Sequence, residues 1–139
     1  MKKSTFGWLA FFSFGCALFA LGAGLVLFAR TSSTPKSTRV PADFLSLRSA
    51  LHAYVINAGE PPTSQQGLAA LVTRPTTAPL PRDWVQVIET KPLDPWLREY
   101  RYERFAKGAG PFRIELRSAG PDGVFGNTDD IFEVMQIGR

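Results

Sequence analysis

Three aspartates crowd into nine positions near the end of the 139-residue chain: Asp122, Asp129 and Asp130, within "SAGPDGVFGNTDDI", residues 118–131. Carboxylates this close repel one another, so a fixed loop must supply a counter-charge or leave them to solvent. Gly120, Gly123 and Gly126 are interspersed with them. Glycine enters backbone conformations closed to other residues, and can turn carbonyl oxygens toward a common centre. Carboxylates and freed carbonyls together form a hard-oxygen donor set. Calcium takes roughly six to eight such oxygens and tolerates irregular geometry, whereas magnesium demands a near-ideal octahedron. No cysteine or histidine lies nearby, which disfavours softer metals. The spacing is not that of an EF-hand. Two other readings stand open at this level: a plain Gly/Asp-rich turn with solvated carboxylates, and a carboxylate pair performing acid–base chemistry. The second would need a cleft and substrate-holding groups.

The elements that position this loop are legible from periodicity. "FRIELRS" alternates, with Phe112, Ile114 and Leu116 on one face and Arg113, Glu115 and Arg117 on the other. With "EYRYERF" before it, joined through "AKGAG", it reads as a half-buried antiparallel pair. "WVQVIE" and "IFEVMQI" are further candidate strands. Tyr100 and Tyr102 share one strand face and are expected in the core. Trp96 with Pro95 is expected to pack a turn against the sheet. Arg98, Arg101, Arg104 and Lys107 alternate with Glu99 and Glu103, the pattern of a solvated hairpin surface.

Upstream the period changes. Phe44, Leu47, Leu51, Tyr54 and Val55 form one apolar stripe at helical spacing. Asp43 is the expected cap of that helix, and Gly59 with Pro61-Pro62 its end. His52 lies one step off the stripe, as a boundary residue. "TSQQGLAALV" predicts a second, short helix: Thr63 and Gln66 have capping-box spacing, Leu68, Leu71 and Val72 form a buried side, and Pro75 ends it. The soluble part is therefore read as α+β, a helix packed on a small antiparallel sheet. At this size a domain buries a modest share of its surface, which favours an added staple such as a metal.

From Trp8 to Ala29 no residue is charged. That apolar run, about 22 residues, is long enough for a bilayer-spanning helix and longer than the core of a cleaved signal. Cys16, the only cysteine, lies inside it, so an intrachain disulfide is excluded. The net charge of +4 follows the same segment: residues 1–39 carry Lys2, Lys3, Arg30, Lys36 and Arg39 and no acid. Beyond them the charges nearly balance, which leaves no footprint for nucleic acid. The expected organisation is a basic leader-like segment and transmembrane anchor at 1–30, a Pro/Ser/Thr linker at 31–41, and a soluble domain at 42–139.

Three motifs occur in a fixed order: "ALHAYVINAGEPPTSQQGLAALVTRP", "LDPW…YRY" and "SAGPDGVFGNTDDI". Together they resemble the major pseudopilin of the type II secretion system. That family's pattern runs Tyr…Asn-Gly-x-Tyr-Pro, Thr-x-Gln-Gly-Leu-x-Ala-Leu, Asp-Pro-Trp-Gly, then Ser-x-Gly-Pro-Asp-Gly…Asp-Asp-Ile. The resemblance spans about residues 43–132. It implies a pilin-like fold with a C-terminal calcium loop, in a subunit without enzymatic activity or a small-molecule substrate. One structural calcium ion would be held by the side chains of Asp122, Asp129 and Asp130 and the backbone carbonyls of Ala119 and Val124. Implied partners are other pseudopilin subunits or copies of the chain, and an inner-membrane secretion platform. The implied location is single-pass in the inner membrane, with the C-terminal domain in the periplasm.

The departures are specific. A leader-like glycine, Gly7, precedes Trp8 as a processing position, but Phe12 stands where the pattern has glutamate. Leu97 replaces the glycine of Asp-Pro-Trp-Gly, and Thr128 stands where another aspartate is frequent. Two functional expectations follow: a structural subunit of a secretion pseudopilus, or a membrane-tethered interaction module of the same fold that does not polymerise.

Overall fold

Helix α1, Val40–Ala58, forms where the apolar stripe predicts it. Phe44, Leu47, Leu51 and Tyr54 are buried, joined by Val40, Ala50 and Ala58, and Val55 packs at the margin. Gly59 ends the helix at φ +91°, its N–H bonded to the Val55 carbonyl, a conformation open to glycine at little strain. The start differs from expectation. Arg39 occupies the cap position without a side-chain bond. Asp43 lies in the first turn and instead accepts the Tyr100 hydroxyl at 2.7 Å. Half of the expected linker is also helical, since Lys36–Arg39 forms a 3-10 turn running into α1. Pro41 permits this because the first helical turn does not use its missing N–H. His52 is exposed.

The computed structural model describes residues 35–105 and 110–138. The expected transmembrane segment, Cys16, Gly7, Trp8, Phe12 and Lys107 lie outside them. Among the described residues no helix is long and apolar enough to cross a membrane.

The second helix is shorter and tighter than expected. Gly67–Leu71 is a 3-10 helix, the form that a piece of one or two turns commonly takes. Its capping box is nonetheless complete: the Gln66 N–H donates to Thr63 Oγ1 at 3.1 Å and the Thr63 N–H donates to Gln66 Oε1 at 2.9 Å. Leu68 and Leu71 are buried as expected, and Val72 only half so.

Three antiparallel strands follow in the order β1-β2-β3: Arg101–Arg104, Phe112–Ser118 and Ile131–Ile137. "WVQVIE" is not among them. Its backbone is spent on the 3-10 helix: the N–H groups of Val87 and Ile88 both donate to the Leu71 carbonyl, and Trp84 Nε1 donates to that of Ala70. Anchored there, the segment does not join the sheet.

The sheet's inner face carries Tyr102, Phe112, Ile114, Leu116, Met135 and Ile137, all buried beneath α1 and the 3-10 helix. Each fully buried aliphatic side chain is worth about 1.5–3 kcal/mol relative to exposure, so this layer and the α1 stripe dominate folding. Tyr100 and Tyr102 satisfy their hydroxyls, Tyr100 on Asp43 and Tyr102 on the Pro62 carbonyl. Burial raises the pKa of both phenols, and the Asp43 carboxylate raises that of Tyr100 further. Arg48 of α1 pairs with Glu133 of β3 across the helix–sheet contact.

Candidate metal centre

The aspartate loop is the β2–β3 connection, and its first strut is buried. Ser118, the last residue of β2, is fully enclosed, and its Oγ donates to Asp94 Oδ2 at 2.7 Å. Asp94, only 1 % exposed, begins the "DPW" turn. Its Oδ1 accepts the N–H groups of Trp96 and Arg98, each at 2.9 Å, so one carboxylate organises the turn and grips the loop. The Gly120 N–H returns to Ser118 Oγ at 3.2 Å. Arg98 then reaches across, donating from Nη1 to the carbonyls of Gly120 at 2.8 Å and Pro121 at 3.3 Å. Its guanidinium lies against Gly123, where a side chain would collide with it.

Spacing alone does not mark Asp94, Ser118 and Arg98 as site residues. "LDPW" and "SAGPDG" are each conspicuous, but that one carboxylate joins them follows only from the fold. The arginine series is likewise corrected in part. Arg98 belongs to the loop, and Arg104 donates to the Pro61 carbonyl at 2.7 Å while stacking on Phe112 at 4.8 Å. Arg101 stays exposed, as expected.

Leu97 shows what the missing glycine entails. Its φ is +66°, and no other described non-glycine residue has positive φ. A left-handed conformation costs an L-residue roughly 1–2 kcal/mol, and Leu97 is 79 % exposed, so little packing offsets that strain. Leu97→Gly is expected to stabilise the protein by about 1 kcal/mol, after allowing for glycine's greater freedom in the unfolded chain. Chemical denaturation measures this; a loss of stability would show that the strain is already relieved.

Each of the five residues assigned to calcium has a definite place. Asp122 is exposed; its Oδ1 accepts the Val124 N–H at 2.8 Å and its Oδ2 accepts Asn127 Nδ2 at 2.6 Å. Asp129 Oδ2 accepts the Asp122 N–H at 3.3 Å, bringing those two residues together. Asp130 turns the other way. Its Oδ2 accepts the Gly126 N–H at 2.8 Å and pairs with Arg117 Nη1 at 2.9 Å. The Ala119 carbonyl accepts the Gly123 N–H at 3.2 Å, and Val124 lies exposed. Among the described residues no three carboxylate, histidine or cysteine side chains are gathered in metal-holding range.

The donors nevertheless fit a hard cation in kind, being oxygens throughout. One observation points the same way. The Asp130 side chain is 2 % exposed, and its Oδ1 is buried without a hydrogen-bond partner among the described residues. Such an oxygen is costly unless a cation or donor can reach it. The Gly126 N–H, followed by Arg117, holds the Asp130 carboxyl below the usual carboxylate range, against the opposing effect of desolvation. Hydrogen bonds from Arg117, to Glu115 first and then to Asp130, raise the pKa of the guanidinium.

An α-helix laid on a three-stranded antiparallel sheet, with a Gly/Asp loop before the last strand, is a pseudopilin-like fold. The crystal structure of the major pseudopilin from the type 2 secretion system of enterohaemorrhagic Escherichia coli matches it with a TM-score of 0.61 and 36 % identity, over 70 % of this chain and 84 % of that one. The family described as type II secretion system (T2SS), protein G, matches residues 28–136, and the chain belongs to that family. Type II secretion system core protein G of Pectobacterium carotovorum subsp. carotovorum is 38 % identical over 92 residues, 65 % of this chain and 57 % of its own length. The core protein G of Pseudomonas aeruginosa is 38 % identical over 98 residues, 68 % of this chain and 66 % of its own. The chain thus aligns with less than two thirds of either relative.

Proposed function

We propose that this chain is a structural subunit of a type II secretion pseudopilus, supporting protein secretion across the outer membrane by packing against other pseudopilin subunits or copies of itself. The observation that carries this reading is the family match across the folded domain, with the three motifs in order. The apolar run Trp8–Ala29 anchors the subunit in the inner membrane beside the secretion platform, with the folded domain in the periplasm. The chain acts by assembly, without turning over a substrate. Chemical cross-linking of the full chain in membranes tests this: a ladder of oligomers is expected. A monomer band alone would favour the tethered, non-polymerising module. That second reading has its own support, since the family match begins at residue 28 and Phe12 replaces the acidic residue of the pattern.

One structural calcium ion belongs to the same proposal. Asp122, Asp129 and Asp130, with the carbonyls of Ala119 and Val124, would hold it, and it would supply charge neutralisation in the loop. A ligand bound only by the folded state adds about 2.7 kcal/mol at a hundredfold excess over its dissociation constant. For a domain of this size that raises the melting temperature by roughly 10 °C or more. The full chain in detergent is expected to melt correspondingly higher in calcium than in chelator, with the difference abolished in Asp122→Ala. Identical melting in both would remove the metal from the proposal.

A further inference from the structure

Arg117 sits where a loop cation would act. Its Nη1 pairs with Asp130 Oδ2 at 2.9 Å, and its Nε and Nη2 donate to Glu115 Oε1 at 3.0 and 2.7 Å. The guanidinium also stacks on Phe132, 4.6 Å from the ring centroid, on the strand position paired with it in the sheet. A protein cation therefore already neutralises the enclosed Asp130 carboxylate. On the other side, Arg98 holds the Gly120 and Pro121 carbonyls.

We propose that Arg117 is a built-in counter-ion that competes with calcium for Asp130, so that the loop keeps its shape without metal and binds the ion only when Arg117 withdraws onto Glu115. This rests on the calcium reading above. The competition is electrostatic: a guanidinium and a divalent ion on one carboxylate repel each other at close range, where solvent screens least. Withdrawal is feasible because Arg117 does not depend on Asp130 alone. Glu115 and Phe132 remain as partners, and a cleft of about 240 Å³ lined by Arg101, Glu103, Glu115, Arg117, Phe125 and Gly126 offers a second carboxylate. Asp130 keeps the Gly126 N–H, and its buried, unpartnered Oδ1 is the oxygen a metal would gain.

The test is calorimetric titration of the full chain in detergent with calcium chloride, together with melting in chelator. Arg117→Gln is expected to bind calcium at least about tenfold more tightly than the unaltered chain and to melt lower without metal. Arg101→Gln removes a neighbouring charge, stacked on Phe125 at 5.8 Å but not paired with a loop carboxylate, and is expected to change affinity by less than about threefold. Equal gains in the two variants would mean a diffuse field effect and overturn the competition, as would unchanged or weaker binding in Arg117→Gln. Calcium binding to neither the unaltered chain nor Arg117→Gln would overturn the calcium reading and this inference together. Binding to the unaltered chain with no gain on substitution overturns only the inference. Should Arg117→Gln fail to fold, Arg117→Met, which preserves an unbranched stem over Phe132, is expected to show the same gain.

Discussion

Asp94→Ala is expected to destabilise the protein by about 3 kcal/mol, lowering the melting temperature by roughly 12–25 °C for a domain of this size. The carboxylate accepts three hydrogen bonds, from Ser118 Oγ and the N–H groups of Trp96 and Arg98. Hydrogen bonds to a charged acceptor contribute about 1.5–3 kcal/mol each, and a buried donor left without a partner costs about 1–3 kcal/mol. Alanine also empties a fully enclosed position. The two backbone donors are partly exposed, so water replaces most of their loss, and the total is set mainly by the one enclosed bond from Ser118 and the emptied volume. A double-mutant cycle with Ser118→Ala isolates the shared bond: the two substitutions together should cost less than their separate effects added, by about 1 kcal/mol or more. Strict additivity would mean that the "DPW" turn and the aspartate loop are independent. The same cycle, read by calcium titration, reports whether the strut pre-shapes the loop for an ion.

Gly120→Ala should cost about 3 kcal/mol, and Gly67→Ala only about 1 kcal/mol, although their φ angles nearly coincide. Gly120 has φ +61° and Gly67 φ +58°. Each substitution places an L-residue in the left-handed region, at roughly 1–2 kcal/mol. Only at Gly120 does the added methyl meet neighbours, the backbone carbonyl of Asp129 and its Oδ2, whereas nothing lies within 4 Å at Gly67. Because the obstacle at Gly120 is backbone, it cannot rotate aside, and forced overpacking adds typically 1–3 kcal/mol. Urea denaturation of both variants measures the difference. Equal losses would show that the loop opens freely at Asp129, and the compact shape described above would then not be a rigid feature of the folded state.

Periodicity read the main elements well because their faces are unlike. The alternation of Phe112, Ile114 and Leu116 with Arg113, Glu115 and Arg117 matches the observed burial of β2 residue by residue. The stripe from Phe44 to Tyr54 is likewise the buried side of α1. A one-residue slip in either would expose the whole apolar set, so burial enforces the pattern. The Thr63–Gln66 capping box was readable because both bonds are local. "WVQVIE" misled for the converse reason: its alternation is that of a strand, but its N–H groups find the Leu71 carbonyl before any strand edge. Asp43 misled as a cap because the Tyr100 hydroxyl, distant in sequence, takes its carboxylate.

Sequence alone determined the amphipathic helix, the alternating strands and a loop whose three carboxylates require compensation, since each depends on neighbours a few positions apart. Tertiary structure alone decided which groups compensate. Asp94 meets Ser118 across 24 residues, Arg98 meets Gly120 across 22, and Arg117 meets Asp130 across 13. Hydrogen bonds and ion pairs act over a few ångströms whatever the separation along the chain, so such partners exist only once the sheet has folded and brought the "DPW" turn beside the end of β2.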